Sequence, residues 1–268
     1  MNDAMIHARF AVGRDGYSSH YHDCHQLLYI KSGQIRLRIK EETYEAGPGT
    51  LALISRLEPH SIEILSEDYQ RYTVTVSPEI QNYAAIMGET LISALVNRPR
   101  AFLHTVHLAD TERAESLLQL MVKESDSSEI LNGKMRLFLL AQLLVHFCRE
   151  YPETFPKKPE NLQRIQQVRL YLEENFASKC DLESLAAEFH LSQSYLSHQF
   201  REVTGSSVIA YLTAYRIAEA KRCLVDTDWS VGKVALECGF SDHSNFGRTF
   251  RSMTGLSPKD FRGKYRKN

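Results

Sequence analysis

The chain has 268 residues, 43% hydrophobic and 24% charged, with a formal net charge of −1. That length and composition fit two soluble domains with real cores, and so balanced a total excludes a surface that is basic throughout. The distribution is less even: residues 1–160 carry 17 Lys and Arg against 21 Asp and Glu, whereas residues 241–268 carry 7 against 2, so positive charge gathers at the end where a phosphate-binding surface would be sought.

Five cysteines (Cys24, Cys148, Cys180, Cys223 and Cys238) are odd in number, widely spaced and without a Cys-x-x-Cys pair. This argues against a disulfide framework or structural zinc and for a reducing compartment. Met1–Tyr17 has no apolar signal-peptide core, and the apolar run around Leu137–Phe147 is too short to span a bilayer. A cytoplasmic protein with no membrane partner is expected.

In chain order, residues ~17–80 read as short strands. Leu27–Ile30, Leu51–Ile54, Ile62–Leu65 and Tyr72–Val76 are apolar or β-branched runs. Ile35, Leu37 and Ile39 alternate with Arg36, Arg38 and Lys40, the period of a half-buried strand. Ser32-Gly33 and Ala46-Gly47-Pro48-Gly49 supply turns. A small antiparallel barrel or sandwich is expected. From Asp110 the period becomes helical, with Leu117, Leu118, Met121 and Val122, then Leu137, Leu140, Leu144 and Phe147. These stripes either pack on their own barrel or meet a second copy across a two-fold axis. Tyr151–Pro159 holds three prolines and reads as a linker. The expected division is 1–105 barrel, 106–150 helical segment, 151–160 linker and 161–268 all-helical domain.

The last segment contains a near-repeat. Leu185-Ala186-Ala187-Glu188 resembles Val234-Ala235-Leu236-Glu237 at an offset of 49. Ser194, Phe200, Arg201, Thr204, Gly205 and Ser207 recur as Ser244, Phe250, Arg251, Thr254, Gly255 and Ser257 at an offset of 50. Two copies of one supersecondary unit follow. In the first copy Asp181 caps a helix, His190-Leu191 turns, and Ser192 caps a second helix to Thr204. In the second, Ser230 caps a helix to about Glu237, Cys238-Gly239-Phe240 turns, and Ser241 or Asp242 caps a helix to Thr254. Gly205 and Gly255 close the second helices, Pro258 opens another, and Val208–Val225 is a single long spacer helix.

This is helix-turn-helix logic, in which the early residues of the second helix reach base edges in the major groove. Those residues are Ser194, Ser197, His198 and Arg201 in copy one and His243, Ser244, Asn245, Arg248 and Arg251 in copy two. Arginine suits guanine and asparagine adenine. Lys259, Arg262, Lys264, Arg266 and Lys267 are expected to contact phosphates or nothing ordered, and Leu196, Phe200, Phe246 and Phe250 to face the core. The rival reading is a plain helical bundle with solvated basic faces, which two tandem copies with matched caps disfavour.

Residues ~165–266 resemble the AraC/XylS-type DNA-binding domain. The resemblance rests on Gly239-Phe240-Ser241-Asp242-His243-Ser244-Asn245-Phe246 with Phe250-Arg251, Gly255 and Ser257-Pro258, and on Leu191–Leu196 with Phe200-Arg201. It implies two recognition helices in successive major grooves, and a regulator, more often an activator, with duplex DNA, RNA polymerase and a second copy as partners.

Gly16–His22, Gln26, Gly33, Gly47-Pro48-Gly49 and Pro59-His60 resemble the cupin barrel that serves such regulators as an effector domain. The fold expected is therefore α+β multidomain: a cupin-like antiparallel β-barrel, helices, then an all-α double helix-turn-helix. The resemblance carries a divalent-metal site onto His20, His22, Gln26 and His60. Gln26 stands where a Glu is usual, which weakens the site for a hard cation but leaves one for Zn, Fe, Ni or Mn. The alternative is that these side chains line an effector pocket. His25 is expected on the face opposite Gln26.

Two functions follow: a regulator responding to a small-molecule effector, or a metal-dependent cupin enzyme with an accessory helical domain. The charge asymmetry and the tandem units favour the first, and no nucleophile-elbow, phosphate-loop or zinc-protease motif supports catalysis. No aromatic platform suggests RNA.

Overall fold

The computed structural model of the chain describes residues 5–13, 16–96, 102–152 and 162–266. Residues up to 18 and from 22 to 157 form one compact unit, and residues 158–268 form the body of a second. The proline-rich segment 153–160, read as linker, lies outside the described residues, as does Lys267.

The described residues hold nine strands: β1 (Ile6–Val12), β2 (Tyr17–His20), β3 (His25–Ser32), β4 (Ile35–Ile39), β5 (Glu42–Ala46), β6 (Thr50–Ile54), β7 (His60–Ile64), β8 (Gln70–Val76) and β9 (Thr105–His107). They form a five-stranded sheet in the order β1-β8-β3-β6-β9 and a four-stranded sheet in the order β2-β7-β4-β5. The expected barrel is thus two antiparallel sheets. The sequence pattern missed β1, β5 and β9, and also a 3-10 turn (Pro78–Tyr83) and the helices α1 (Ala84–Met87) and α2 (Glu89–Val96).

Strand alternation decides which core each residue joins. Leu28, Ile30, Ala52 and Ile54 pack with Ile35, Leu37, Ile39, Ala46 and Ile62, between the sheets. Leu27, Tyr29, Leu51, Leu53, Tyr72, Val74 and Val76 face the other way, into a core with the helices. Gly33 turns β3 into β4 with φ 81°, and an added Cβ would sit 2.8 Å from Tyr69 Cα, so only glycine fits.

Helices α3 (Thr111–Asp126) and α4 (Asn132–Glu150) cover the outer face of the larger sheet. Leu117, Leu118, Met121, Leu137, Leu140, Leu144 and Phe147 are all buried there. Of the two packings the sequence left open, the stripe takes the one against this unit's own sheet; a helical period reports burial without naming the partner. The large apolar residues left outside are Leu120, Leu131, Met135 and Phe138, each about half exposed (49–60%), and Ile130, which is 92% exposed.

The second unit is all helix: α5 (Leu162–Glu174), α6 (Leu182–Glu188), α7 (Gln193–Thr204), α8 (Val208–Asp226), α9 (Val231–Glu237), α10 (His243–Thr254) and α11 (Pro258–Tyr265). Ile165, Val168, Leu172, Leu196, Phe200, Ile217, Leu224, Val234, Phe246 and Phe250 are among its buried side chains. Among the described residues no helix is long and apolar enough to cross a membrane.

Candidate nucleic-acid interface and effector site

Six of the second unit's helices begin with a side-chain cap, which satisfies amide groups a helix start leaves without carbonyl partners. Asp181 Oδ1 accepts from Ser184 N at 2.8 Å, Ser192 Oγ from Tyr195 N at 3.2 Å, and Ser207 Oγ from Ala210 N at 3.2 Å. Ser230 Oγ accepts from Lys233 N at 3.1 Å, Asp242 Oδ1 from Ser244 N at 2.8 Å, and Ser257 Oγ from Asp260 N at 3.2 Å. Asp242, rather than Ser241, starts α10. Gly205 and Gly255 end α7 and α10 in the left-handed region, with φ 69° and 76°.

The two copies repeat atom by atom. The Thr204 hydroxyl lies 2.7 Å from the Phe200 carbonyl and 3.1 Å from that of Ser206; Thr254 lies 2.8 Å from Phe250 O and 3.0 Å from Leu256 O. Leu191 N donates to Ala186 O at 2.8 Å, and Phe240 N to Ala235 O at 2.9 Å. Each pair fixes the turn between the first and second helix of its unit, so α7 and α10 leave their turns in the same way.

Burying Leu196 and Phe200, or Phe246 and Phe250, turns the opposite faces of α7 and α10 to solvent. Ser194, His198 and Arg201 are exposed on α7, with Ser197 half-buried. His243, Ser244, Asn245, Arg248 and Arg251 are exposed on α10. Among the described residues Arg201, Arg248 and Arg251 have no ion-pair partner, which leaves their guanidinium donors available. Gln193, exposed at the start of α7, was missed by the sequence reading; its match to His243 at an offset of 50 was the available signal.

Two of the residues expected at phosphates have partners within the unit. Arg262 donates from Nε to Leu224 O at 3.0 Å and from a terminal nitrogen to Trp229 O at 2.5 Å. Arg266 pairs with Asp228 at 2.6 Å. The carbonyls that Arg262 meets are more than thirty residues away, so its sequence neighbourhood gave no sign of them. Lys259 and Lys264 remain exposed.

His20 ends β2, Gln26 lies near the start of β3 and His60 begins β7. Ligand nitrogens of His20, His22 and His60 lie within 4.8 Å of one another. His22 Nε2 is 2.6 Å from Gln26 Oε1, and the His22 and His60 rings are 4.8 Å apart. His22 Nδ1 meets Cys24 O at 3.0 Å, and His60 Nδ1 meets Glu58 O at 2.9 Å. A carbonyl only accepts, so both Nδ1 atoms carry the proton and the neutral His60 ring presents a lone pair at Nε2; His22 Nε2 faces the Gln26 amide, from whose nitrogen it accepts with that group turned over.

Glu58 fixes this turn. It is buried, accepts from Ser55 N at 2.8 Å and pairs with Lys40 Nζ at 3.0 Å. His25 points elsewhere, its Nδ1 3.3 Å from Ser55 Oγ, whose hydroxyl donates to Leu95 O of α2.

Comparisons with known proteins agree with this construction. Residues 6–141 match the AraC-like ligand binding domain, and residues 185–264 match a helix-turn-helix domain. The transcriptional activator RhaS of Salmonella arizonae is 26% identical over 246 residues, covering 92% of this chain and 87% of that protein. RhaS of Klebsiella pneumoniae is 25% identical over 251 residues, covering 93% and 88%. Among solved structures, ToxT of Vibrio cholerae superposes with a TM-score of 0.67 at 15% identity, over 96% of this chain and 97% of that one. A ToxT structure with bound unsaturated fatty acid also gives 0.67, at 14% identity, over 96% and 94%. The RhaS relatives are transcriptional activators, in line with the regulator that the sequence led us to expect. With a ligand-binding sheet unit matched over half its length and a helix-turn-helix unit behind it, the chain belongs to the AraC family of DNA-binding transcription regulators.

Proposed function

We propose that this regulator reads two boxes of duplex DNA with α7 and α10 and activates transcription when a small molecule binds the sheet unit. The observation that carries the DNA reading is the exposed face of α10. Asn245 and Arg248 stand in the first half of a capped helix whose other face is locked by Phe246 and Phe250. Ser194, Ser197, His198 and Arg201 take the corresponding part on α7, and His243, Ser244 and Arg251 complete the set on α10. Asn245 and Arg248 can each bond a base edge bidentately, whereas their counterparts Tyr195 and His198 cannot, so copy two discriminates bases more strongly. The RhaS relatives, described as activators, support activation, with RNA polymerase as partner and the cytoplasm as location.

The sheets of residues 1–105 hold the effector, and 106–150 supply a homodimer contact through the exposed Leu120, Met135 and Phe138. His20, His22 and His60, with Gln26 as a neutral oxygen donor, suit a divalent ion of the Zn, Fe, Ni or Mn group. The backbone carbonyls on both Nδ1 atoms are the outer partners that orient imidazole ligands. Bound there, the ion would supply a Lewis-acid centre to an effector's oxygen atoms.

The test is selection of tight binders from random duplexes of about 40 base pairs by the full-length protein at physiological salt. Two enriched boxes about one helical turn apart, ~10–10.5 base pairs, are expected. No enrichment, with binding that simply fades as salt rises, would contradict sequence-specific recognition.

A further inference from the structure

Cys223 lies in the last turn of α8, and Cys238 is the C-cap of α9. The two helices pack against each other there. Leu224, next to Cys223, and Val234, one turn before Cys238, are fully buried, and Cys238 itself is buried. Across this contact the two thiols hydrogen-bond, with the Cys238 S–H directed at the Cys223 sulfur. Neither is in a disulfide.

Both backbones are fixed by local bonds. Cys223 O accepts from Thr227 N at 3.1 Å and from the Thr227 hydroxyl at 2.7 Å. Cys238 N donates to Val234 O at 3.0 Å, and Gly239 N to Leu236 O at 2.9 Å. Two helix ends therefore hold the thiols in contact.

The two sulfur atoms are not equivalent. Cys223 is half-buried, so a small molecule can reach it, whereas Cys238 is buried. Burial pushes the Cys223 thiol above its ordinary value, and the Arg222 guanidinium and the Cys238 S–H act against that rise. Burial, then the charge on Cys223, pushes Cys238 up to about 12. This is the arrangement of an attacking thiol beside a resolving one.

We propose that Cys223 and Cys238 form a reversible disulfide within the chain in response to a low-molecular-weight disulfide, and that the bond weakens DNA binding by α10. Cys223 gives up its proton and its thiolate attacks one sulfur of the small disulfide. That S–S bond breaks and one small thiol leaves. Cys238 then loses its proton and attacks the Cys223 sulfur of the mixed disulfide, expelling the second small thiol. The cysteine pair gives up two electrons, the small disulfide takes them, and the two protons end on the two small thiols. In a reducing compartment such bonds are transient and serve sensing.

The effect on DNA follows from where Cys238 stands. A covalent bond brings the sulfur atoms closer than their hydrogen-bond contact, and Cys238 opens the turn that leads into α10. Gly239 has no slack to absorb the pull, because its Cα already lies against the backbone of Ala177. Moving the turn moves the face that carries Asn245 and Arg248.

The experiment is incubation of the full chain with oxidised glutathione, followed by peptide mapping without reductant and by affinity for the selected duplex. A Cys223–Cys238 cross-link within one chain is expected, forming faster as pH rises because the thiolate is the attacking species. The cross-linked protein should bind the duplex about tenfold more weakly, the worth of one bidentate base contact, and dithiothreitol should restore the affinity.

Cys223→Ser, at a half-exposed position, and Cys238→Ala should each keep the affinity of the reduced protein and lose the response. Glutathione retained on Cys223 without a cross-link, a cross-link through another cysteine, a cross-linked protein of unchanged affinity, or a response that survives in Cys223→Ser would overturn the proposal. Enrichment of a duplex motif by the reduced protein tests the regulator reading separately, so the two failures are distinguishable.

Discussion

His190 and Gly239 occupy the same position in the two helix-turn-helix units, and both have a positive φ, 52° and 78°. Each lies between the first helix and the residue that bonds back to it, Leu191 or Phe240. Only the second is glycine, and the surroundings give the reason: a Cβ on residue 239 would lie 2.8 Å from Ala177 O and 2.9 Å from Ala177 Cα. His190 is half exposed and carries the left-handed strain without such an approach. Gly239→Ala should therefore lower stability by more than the roughly 1–2 kcal/mol of left-handed strain alone, whereas His190→Gly should be neutral or stabilising. Urea unfolding of the two variants checks this; equal and opposite effects at both sites would contradict it.

Arg248 and Arg262 should separate base reading from scaffolding. Arg248→Ala should cost about 1–3 kcal/mol on the selected duplex and relax one base position, with little effect on random DNA. Arg262→Ala should leave the salt slope of DNA binding unchanged and lower the melting temperature, since it removes a charged donor to two carbonyls, each bond worth roughly 1.5–3 kcal/mol. A flattened salt slope for Arg262→Ala would return it to the phosphate contacts.

Charge on the α4 stripe should have two outcomes according to face. Leu140→Asp, at a fully buried position, should unfold the first unit. Phe138→Asp, on the exposed side, should keep the circular dichroism spectrum and shift the sedimentation profile from dimer to monomer. An unchanged profile would remove the α4 ridge from the dimer contact.

The cap of α6 gives a pH signature. The Ser184 backbone amide, then the Ser184 side chain, holds the Asp181 carboxyl below the usual carboxylate range. A depressed folded-state pKa contributes stability that is present above the unfolded value of about 3.9 and is lost as pH falls through the lower folded value. The stability difference between the protein and Asp181→Ala should therefore stay constant from pH 7 to about pH 5 and narrow below about pH 4. A difference that persists unchanged to pH 3 would mean that ionisation of Asp181 does not contribute.

What could be read from the sequence was what local chemistry decides. Asp181, Ser192, Ser230, Gly205, Gly255 and Pro258 announce helix ends because a cap bonds within a few residues of itself, and the spacer predicted over Val208–Val225 is α8. Strands resist this, since their hydrogen bonds are to distant residues. β5 is exposed at four of its five positions or half so, and β9 has three residues, so neither shows a pattern. The histidine cluster came from resemblance; residues 20, 22 and 60 meet only once β2 and β7 are placed side by side.

The central claim is that α7 and α10 read DNA as one rigid pair. The spacer α8 has 19 residues, which is roughly 28 Å at 1.5 Å per residue, and its N-cap at Ser207 and its Arg216 bonds to Phe176 O and Ser178 O, 2.7 and 2.8 Å, tie it to the first unit of the pair. The most direct measurement is affinity for the selected duplex with about five base pairs inserted between its boxes, half a helical turn. A fall toward the affinity for random DNA is expected, because one helix then faces the wrong side of the duplex. Unchanged affinity would mean that the two helices do not bind together at a fixed spacing.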